Sequence, residues 1–309
     1  MDVKVAAPPL RPWEQPAPPR DWAPNAQGAA SSSQGHGAAS SREGQGGASQ
    51  GAASSAPTCG PGTQHSPAVS RPVSVDVCVF TVAPHPEAER DALQVVLARR
   101  DAAPLRGWWA LPGGVLGPGE SLGDAAARVL AEQTGVEGAH LEQLASFGDP
   151  GRDPRGTVSV AYLALVAAAR ARLPGADEAR PAAWVPVDRL ERVPLAFDHA
   201  AVLDAAVGRL RSKLKYSNIA FELVPARFTL RQLYRAYLAI LDRSERQLPF
   251  SNFLRVFGRL AEGSADDAFG RPPPLRVVGE ARSEGPGRPA RLYEFVGRPG
   301  DERREFYRW

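Results

Sequence analysis

Hydrophobic and polar positions begin to alternate near Pro72. Val73, Val75, Val77 and Val79 interleave with Ser74, Asp76, Cys78 and Phe80, a period of two that predicts a strand. A turn rich in Pro and Glu over 84–91 leads to a second strand expected over 93–100. The run Trp108-Trp109-Ala110-Leu111-Pro112-Gly113-Gly114 then opens a glycine-rich loop. A helix is predicted over 122–134. Ser121 is placed to cap it, Asp124 to complete a capping box, and Gly135 to supply the left-handed C-terminal cap. Strands follow over 141–147 and 157–166, separated by a Gly/Pro/Arg loop, and 184–187 closes the sheet. Residues 72–200 therefore read as one α/β domain of ordinary size.

Beyond it the period changes. A helix over 199–215 places Val202, Leu203, Ala206, Val207, Leu210 and Leu214 on one side. Residues 219–223 suit a short helix. Thr229 and Gln232 form a capping box for the next, with Phe228 able to staple onto Leu233. Phe250, Phe253, Leu254 and Phe257 mark a third helix, and 275–278 with 291–295 read as a hairpin around a Gly/Pro/Arg segment. Short helices followed by a hairpin within about 80 residues indicate a winged helix.

Composition alters this picture mainly at the ends. Residues 1–70 are dominated by Ala, Gly, Ser, Gln and Pro. They cannot bury enough apolar surface to offset about 1–2 kcal/mol of backbone entropy per ordered residue, so a low-complexity tail is expected there. The boundaries expected are a tail over 1–70, an α/β domain over 71–200, a linker helix over 201–216, a winged helix over 217–297 and a short tail over 298–309. The start of the chain lacks a basic stretch followed by an apolar run, no run approaches the roughly 20 residues of a membrane span, and two cysteines make a disulfide framework implausible. A cytoplasmic protein with no membrane contact is expected. The net charge of +3 conceals an asymmetry: from Arg209 onward there are 20 Lys/Arg against 12 Asp/Glu. A basic C-terminal third on an acidic body suggests a polyanionic partner.

The specific chemistry lies in residues 114–136. Gly114, Glu120, Arg128, Leu130, Glu132, Gly135 and Val136 fall on the spacing of the Nudix box, which the segment resembles. The resemblance implies an αβα sandwich with a mixed sheet. It also implies three glutamates at 129, 132 and 133, on one helix face, binding the divalent cations of a pyrophosphatase. This chain has Val129, Glu132 and Gln133. Mg²⁺ takes octahedral oxygen ligands and needs carboxylates to hold it, so Glu132 alone is at best a weak metal ligand. Hydrolysis is expected to be impaired, with no cofactor required and Mg²⁺ relevant only if activity is retained. Asp177 or Glu178, from another loop, could supply a compensating carboxylate. Glu120 and Arg128 are expected to pair and brace the loop.

A second segment, Phe147-Gly148-Asp149-Pro150-Gly151-Arg152-Asp153-Pro154-Arg155 followed by Val158–Leu163, resembles Nudix members that handle ADP-ribose. Arg152 and Arg155 are candidates for bidentate phosphate contacts or, alternatively, solvated loop residues. Trp108, Gly113 and Gly114 join them as ligand-binding candidates, although either Trp108 or Trp109 is equally suited to the core. His199 is expected to cap or pack rather than ligate.

From Leu195-Ala196-Phe197-Asp198-His199 through Lys213–Ser217 and Phe228-Thr229-Leu230 to Gly287–Tyr293, the chain resembles the Nudix-related transcriptional regulators of NAD metabolism. That resemblance implies a homodimer that senses ADP-ribose or a related nucleotide and binds double-stranded operator DNA. Ser251, Asn252, Arg255 and Arg259 on the third helix, with Arg288 and Arg291 on the wing, are the DNA-contact candidates. Only two bases on that helix is sparse for the family, which leaves a partner-docking role open for this domain. An active ADP-ribose pyrophosphatase with an accessory C-terminal domain is the alternative for the whole chain.

Overall fold

The computed structural model describes residues 71–136, 139–171, 173, 182–262, 275–280 and 289–296. The two tails, Asp177, Glu178 and Arg288 lie outside the described residues.

A mixed sheet organises the α/β part. Its strands are β1 (Val73–Pro84), β2 (Asp91–Arg99), β3 (Trp109–Ala110), β4 (Gly113–Val115), β5 (His140–Phe147), β6 (Val158–Leu165) and β7 (Ala182–Pro186). The order is β3-β2-β1-β6-β5, with β4 also on β1 and β7 also on β2. The β1–β6 pair is parallel and its neighbours are antiparallel.

β1 is buried on both faces. Val75, Val77 and Val79 pack beneath α1 (Leu122–Thr134), with Ala125, Ala126, Val129 and Leu130 above them. Cys78 and Phe80 face the other way, into a larger core shared with Leu163, Leu165 and α2 (His199–Lys213). The apolar residues at even positions in β1 are thus required by a second covered face.

α1 ends as its sequence dictates. The Ser121 hydroxyl accepts from the Asp124 amide at 3.1 Å and donates to the Asp124 carboxylate at 2.7 Å. The carboxylate takes the hydroxyl instead of the Ser121 N–H, because Asp is one methylene shorter than the usual Glu or Gln. Gly135 adopts φ 64° and its N–H returns to Ala131 O, a left-handed cap that glycine reaches without steric cost.

α2 takes up most of the span expected as a linker over 201–216, ending at Lys213, and Val202, Leu203, Ala206 and Leu210 are buried along its length. Their partners include residues of α3 (Leu230–Leu241) and α4 (Phe250–Glu262), so one core runs from the sheet into the C-terminal elements. A 3-10 turn over Ile219–Leu223 precedes α3. The capping box of Thr229 and Gln232 is present in both directions. Phe228 exchanges both backbone hydrogen bonds with Tyr293, tying the start of α3 to the terminal hairpin.

That hairpin is β8 (Leu275–Glu280) against β9 (Arg291–Phe295). Between α3 and α4 the rings interlock: Tyr234–Phe253 centroids are 5.2 Å apart and Tyr237–Phe257 centroids 5.4 Å, both edge-on. Each such pair contributes roughly 0.5–1.5 kcal/mol beyond its buried area. The order helix, helix, hairpin is the one expected from the sequence. No helix among the described residues is long and apolar enough to cross a membrane.

Candidate functional site

A cleft opens where the N-terminal end of β1, the β4 strand, the 152–157 loop and the start of α2 converge. It is lined by Ser74, Asp76, Arg100, Gly113, Gly114, Val115, Arg152, Asp153, Arg155, Thr157, Phe197 and His199, among others. At about 130 Å³ it is smaller than the 300–1,000 Å³ of a typical ligand pocket. A ligand of ordinary size would have to displace some of the present contacts.

The floor is polar and tightly bonded. Asp76 is buried in β1 and accepts from the Ser159 hydroxyl across the parallel pair. A Cβ at Gly113 would lie 2.2 Å from Asp76 Oδ1, so only glycine fits there. His199 is 4% exposed and its Nδ1 accepts the Leu111 N–H at 2.9 Å. Its Nε2 faces the Asp76 carboxylate at 3.9 Å. Burial holds the His199 pKa below the ordinary histidine range. His199, expected to cap or pack, is buried and bonded to the backbone, and it also lines the cleft.

The arginines are unequal. Arg152 is buried and forked onto Asp198, Nε to Oδ2 at 2.8 Å and Nη2 to Oδ1 at 2.7 Å, with Nη1 on Thr157 O at 3.1 Å. It is therefore not a solvated loop residue, and it does not point freely at the cleft as expected. Arg155 is the open one, its side chain 58% exposed and touching Asp153 only at 3.5 Å. Arg100 stacks its guanidinium 4.7 Å above the Phe197 ring. Burial, and then the neighbouring Arg155 charge, lower the Arg100 pKa from its usual value. Two guanidiniums in mutual repulsion favour an incoming anion.

Trp108 is corrected as a stacking candidate. It packs with Leu105, Ala110 and Ala196 and is not among the residues lining the cleft. The aromatic ring at the cleft is Phe197, held at φ 53° beside His199. Asp76 and Arg100 are given no site role by sequence reasoning, and Phe197 and Asp198 are quoted only within the segment that carries the regulator resemblance. For Asp76 the visible signal is an acid interrupting the valine alternation of β1.

On the other side of Gly113 lies the Nudix-box helix. Glu120 and Arg128 pair as expected, Nε to Oε1 at 2.7 Å and Nη2 to Oε2 at 2.9 Å. Gly117 N–H adds a third bond to Glu120 at 2.8 Å. The three positions where the box expects metal ligands have different neighbours. Val129 is fully buried in the core under β1. Glu132 is exposed and faces Arg128 at 3.4 Å. Gln133 accepts from Gly113 N–H at 3.2 Å and donates to Gly113 O at 2.7 Å. These residues do not fit an octahedral divalent cation: one offers no oxygen, one is committed to the backbone, and the remaining carboxylate already faces a guanidinium.

On α4, Ser251, Asn252, Leu254 and Arg255 are exposed while Phe253 and Phe257 are buried. Arg255 reaches Asn252 Oδ1 only at 3.5 Å. Arg291 is exposed at the start of β9. Arg259 belongs to α4, but its side chain is outside the described residues.

Comparison with known proteins places this geometry. The NUDIX domain model matches residues 74–206. The chain is 32% identical over 227 residues to the ADPR responsive transcriptional repressor NtrR of Acinetobacter baylyi, covering 72% of this chain and 82% of that protein. The crystal structure of Shewanella oneidensis NrtR complexed with a 27mer DNA is matched at 30% identity, a TM-score of 0.59, and 72% and 93% of the two chains. An ADP-ribose pyrophosphatase of Methanocaldococcus jannaschii is 30% identical over 124 residues, 38% of this chain and 72% of that protein.

Proposed function

The chain belongs to the family of Nudix-related transcriptional regulators, and from that premise we propose that it is an ADP-ribose-responsive repressor that binds duplex DNA as a homodimer. One contrast carries the reading. The cleft keeps cationic groups suited to a pyrophosphate, Arg100 and Arg155, while the helix beside it has valine and a backbone-bound glutamine where two metal ligands are expected.

In this reading Arg155 and Arg100 take the phosphates and Phe197 borders the ligand. Gly113 and Gly114 let the backbone approach it. A bound anion is stabilised without metal, by charge-assisted hydrogen bonds in a partly dry cleft. Glu132 holds no catalytic ion, and no cluster among the described residues offers a site for the Lewis acid that pyrophosphate hydrolysis calls for. The domain binds and does not turn over.

DNA recognition falls to residues 217–297 as a winged helix. The exposed face of α4 enters the major groove, where Asn suits adenine, Arg suits guanine, and an apolar side chain suits the thymine methyl. Arg291, at the start of β9, contacts phosphate, and Arg288, outside the described residues, is assigned the same role from the sequence. A gel-shift assay on the DNA upstream of the chain's own reading frame, with and without ADP-ribose, tests the whole reading. A shifted band that responds to the nucleotide supports it, and a band indifferent to ADP-ribose removes the sensor.

A further inference from the structure

Asp198 stands at the N-cap position of α2, yet its side chain makes no capping bond. Aspartate is among the most favoured N-cap residues because its carboxylate accepts from the exposed amides of the first helical turn. Here both oxygens are turned onto Arg152. The carboxylate is also the outer member of that pair, its side chain 24% exposed against 6% for Arg152. Arg152's third contact, Thr157 O, leaves its fork in place whichever anion it holds. Asp76, 4.0 Å from the same guanidinium, is occupied by Ser159.

We propose that the Arg152–Asp198 pair is an exchange point: an anionic ligand of the phosphate or pyrophosphate class entering the cleft takes the Arg152 fork, and the freed Asp198 carboxylate caps α2. This rests on the effector reading above. The second arrangement needs the Asp198 backbone to turn from ψ 18° to the extended conformation of a capping residue; both groups are then satisfied in either state, and a ligand biases the pair by its preference for one of them. Planar bidentate recognition is what a guanidinium offers equally to a carboxylate and to a phosphate.

α2 connects this exchange to the C-terminal elements. At its far end Arg211 Nε donates to Ile240 O at 2.9 Å, in the last turn of α3. Two residues later Asp242 turns the chain with φ 51°, ahead of α4. The start of α2 responds to the ligand, and its end holds the element that precedes the DNA-facing helix.

The test uses the full chain with two probes, ADP-ribose and inorganic pyrophosphate, read by calorimetry and by amide hydrogen exchange at Ala200 and Ala201. Asp198→Asn and Asp198→Ser keep a capping oxygen but remove the competing charge. Both should bind each probe about tenfold tighter than wild type, since a charge-assisted bond no longer has to be displaced. In wild type, ligand should slow exchange at those two amides about fivefold, the worth of a typical cap. In the Asn and Ser variants exchange should already be slow and unchanged by ligand. Asp198→Ala should bind tightly with no protection. Equal affinity in wild type and the Asn and Ser variants, or binding without protection in wild type, overturns the exchange and leaves the effector reading intact. The full pattern with pyrophosphate but no binding of ADP-ribose supports the exchange and sinks the ADP-ribose reading. Binding of neither probe overturns both.

Discussion

The side-chain amide of Gln133 closes a two-bond ring on the backbone of Gly113, accepting its N–H at 3.2 Å and donating to its carbonyl at 2.7 Å. The ring joins α1 to β4 where the Nudix box places a metal-binding glutamate. A glutamate can accept from Gly113 N–H, but it cannot donate to Gly113 O and would set a negative charge against it. Gln133→Glu, which restores the family carboxylate, should therefore cost about 1–3 kcal/mol of stability through the unpaired carbonyl. For a chain of this size that lowers Tm by roughly 2–4 °C per kcal/mol. An unchanged or raised melting temperature would contradict the strut role.

Hydrolysis should remain absent or residual in wild type and in Gln133→Glu alike. Val129 has no exposure and packs under the β1 valines, so one added carboxylate leaves the metal site still incomplete. The measurement is AMP release from ADP-ribose with Mg²⁺ or Mn²⁺. Turnover at ordinary enzyme rates, roughly 1–10³ per second, would show that the cleft catalyses without the box glutamates. Val129→Glu should cost several kcal/mol, because it buries an unpaired charge beneath the sheet.

The Glu120–Arg128 brace gives a pH signature. The Arg128 guanidinium first, and the Gly117 N–H second, hold the Glu120 carboxyl down to about 2. An unfolded glutamate titrates near about 4.3. A carboxyl lowered on folding stabilises fully above its unfolded value, and that contribution fades as pH falls toward the folded one. The stability difference between wild type and Glu120→Gln should thus be constant from pH 7 to about 5 and shrink between about 4.3 and 2. A difference that grows on acidification would mean that Glu120 is not the stabilised anion the geometry shows.

Local pattern carried the elements, and distance along the chain decided what stayed hidden. The Ser121 and Thr229 caps, the Gly135 turn and the Glu120–Arg128 brace depend on residues within a few positions of one another, or on a motif of fixed spacing. The cleft depends on pairs far apart. Arg152 meets Asp198 across 46 residues and Ser159 meets Asp76 across 83. Nothing in a linear pattern says that one arginine of the loop is tied down and the other open. The two-sided burial of β1 was half visible, as valines at odd positions; its even positions became intelligible only once α2 covered that face. Trp108 looked equally suited to core and ligand, and the turn around Leu105 at φ 63° settles it in the core.

The exposed surface of α4, proposed above to face DNA, yields the last prediction. Its two faces divide cleanly: Phe253 and Phe257 are fully buried, while Ser251, Asn252, Leu254 and Arg255 are exposed. Substituting the exposed set should leave stability within about 0.5 kcal/mol, as surface changes do, so losses of DNA binding can be read directly. Arg255→Ala should cost about 1–3 kcal/mol on a site selected from random duplexes and little on non-specific DNA, the mark of base readout. Leu254 is 40% exposed among polar neighbours, and a thymine methyl is the base-edge group that suits it. Replacing thymine by uracil in the selected site removes that methyl. The replacement should weaken wild type at one or more positions and leave Leu254→Ala indifferent to the same change. If the excess of Lys and Arg from residue 209 onward engages phosphates, all variants should keep a steep salt dependence, near −0.9 in log–log slope per phosphate neutralised. If Arg255→Ala instead lowers specific and non-specific binding equally, the side chain lies on the backbone and α4 is not in the groove. If no duplex binds with salt dependence at all, the exposed face of α4 is a protein-docking surface and the repressor reading falls with it.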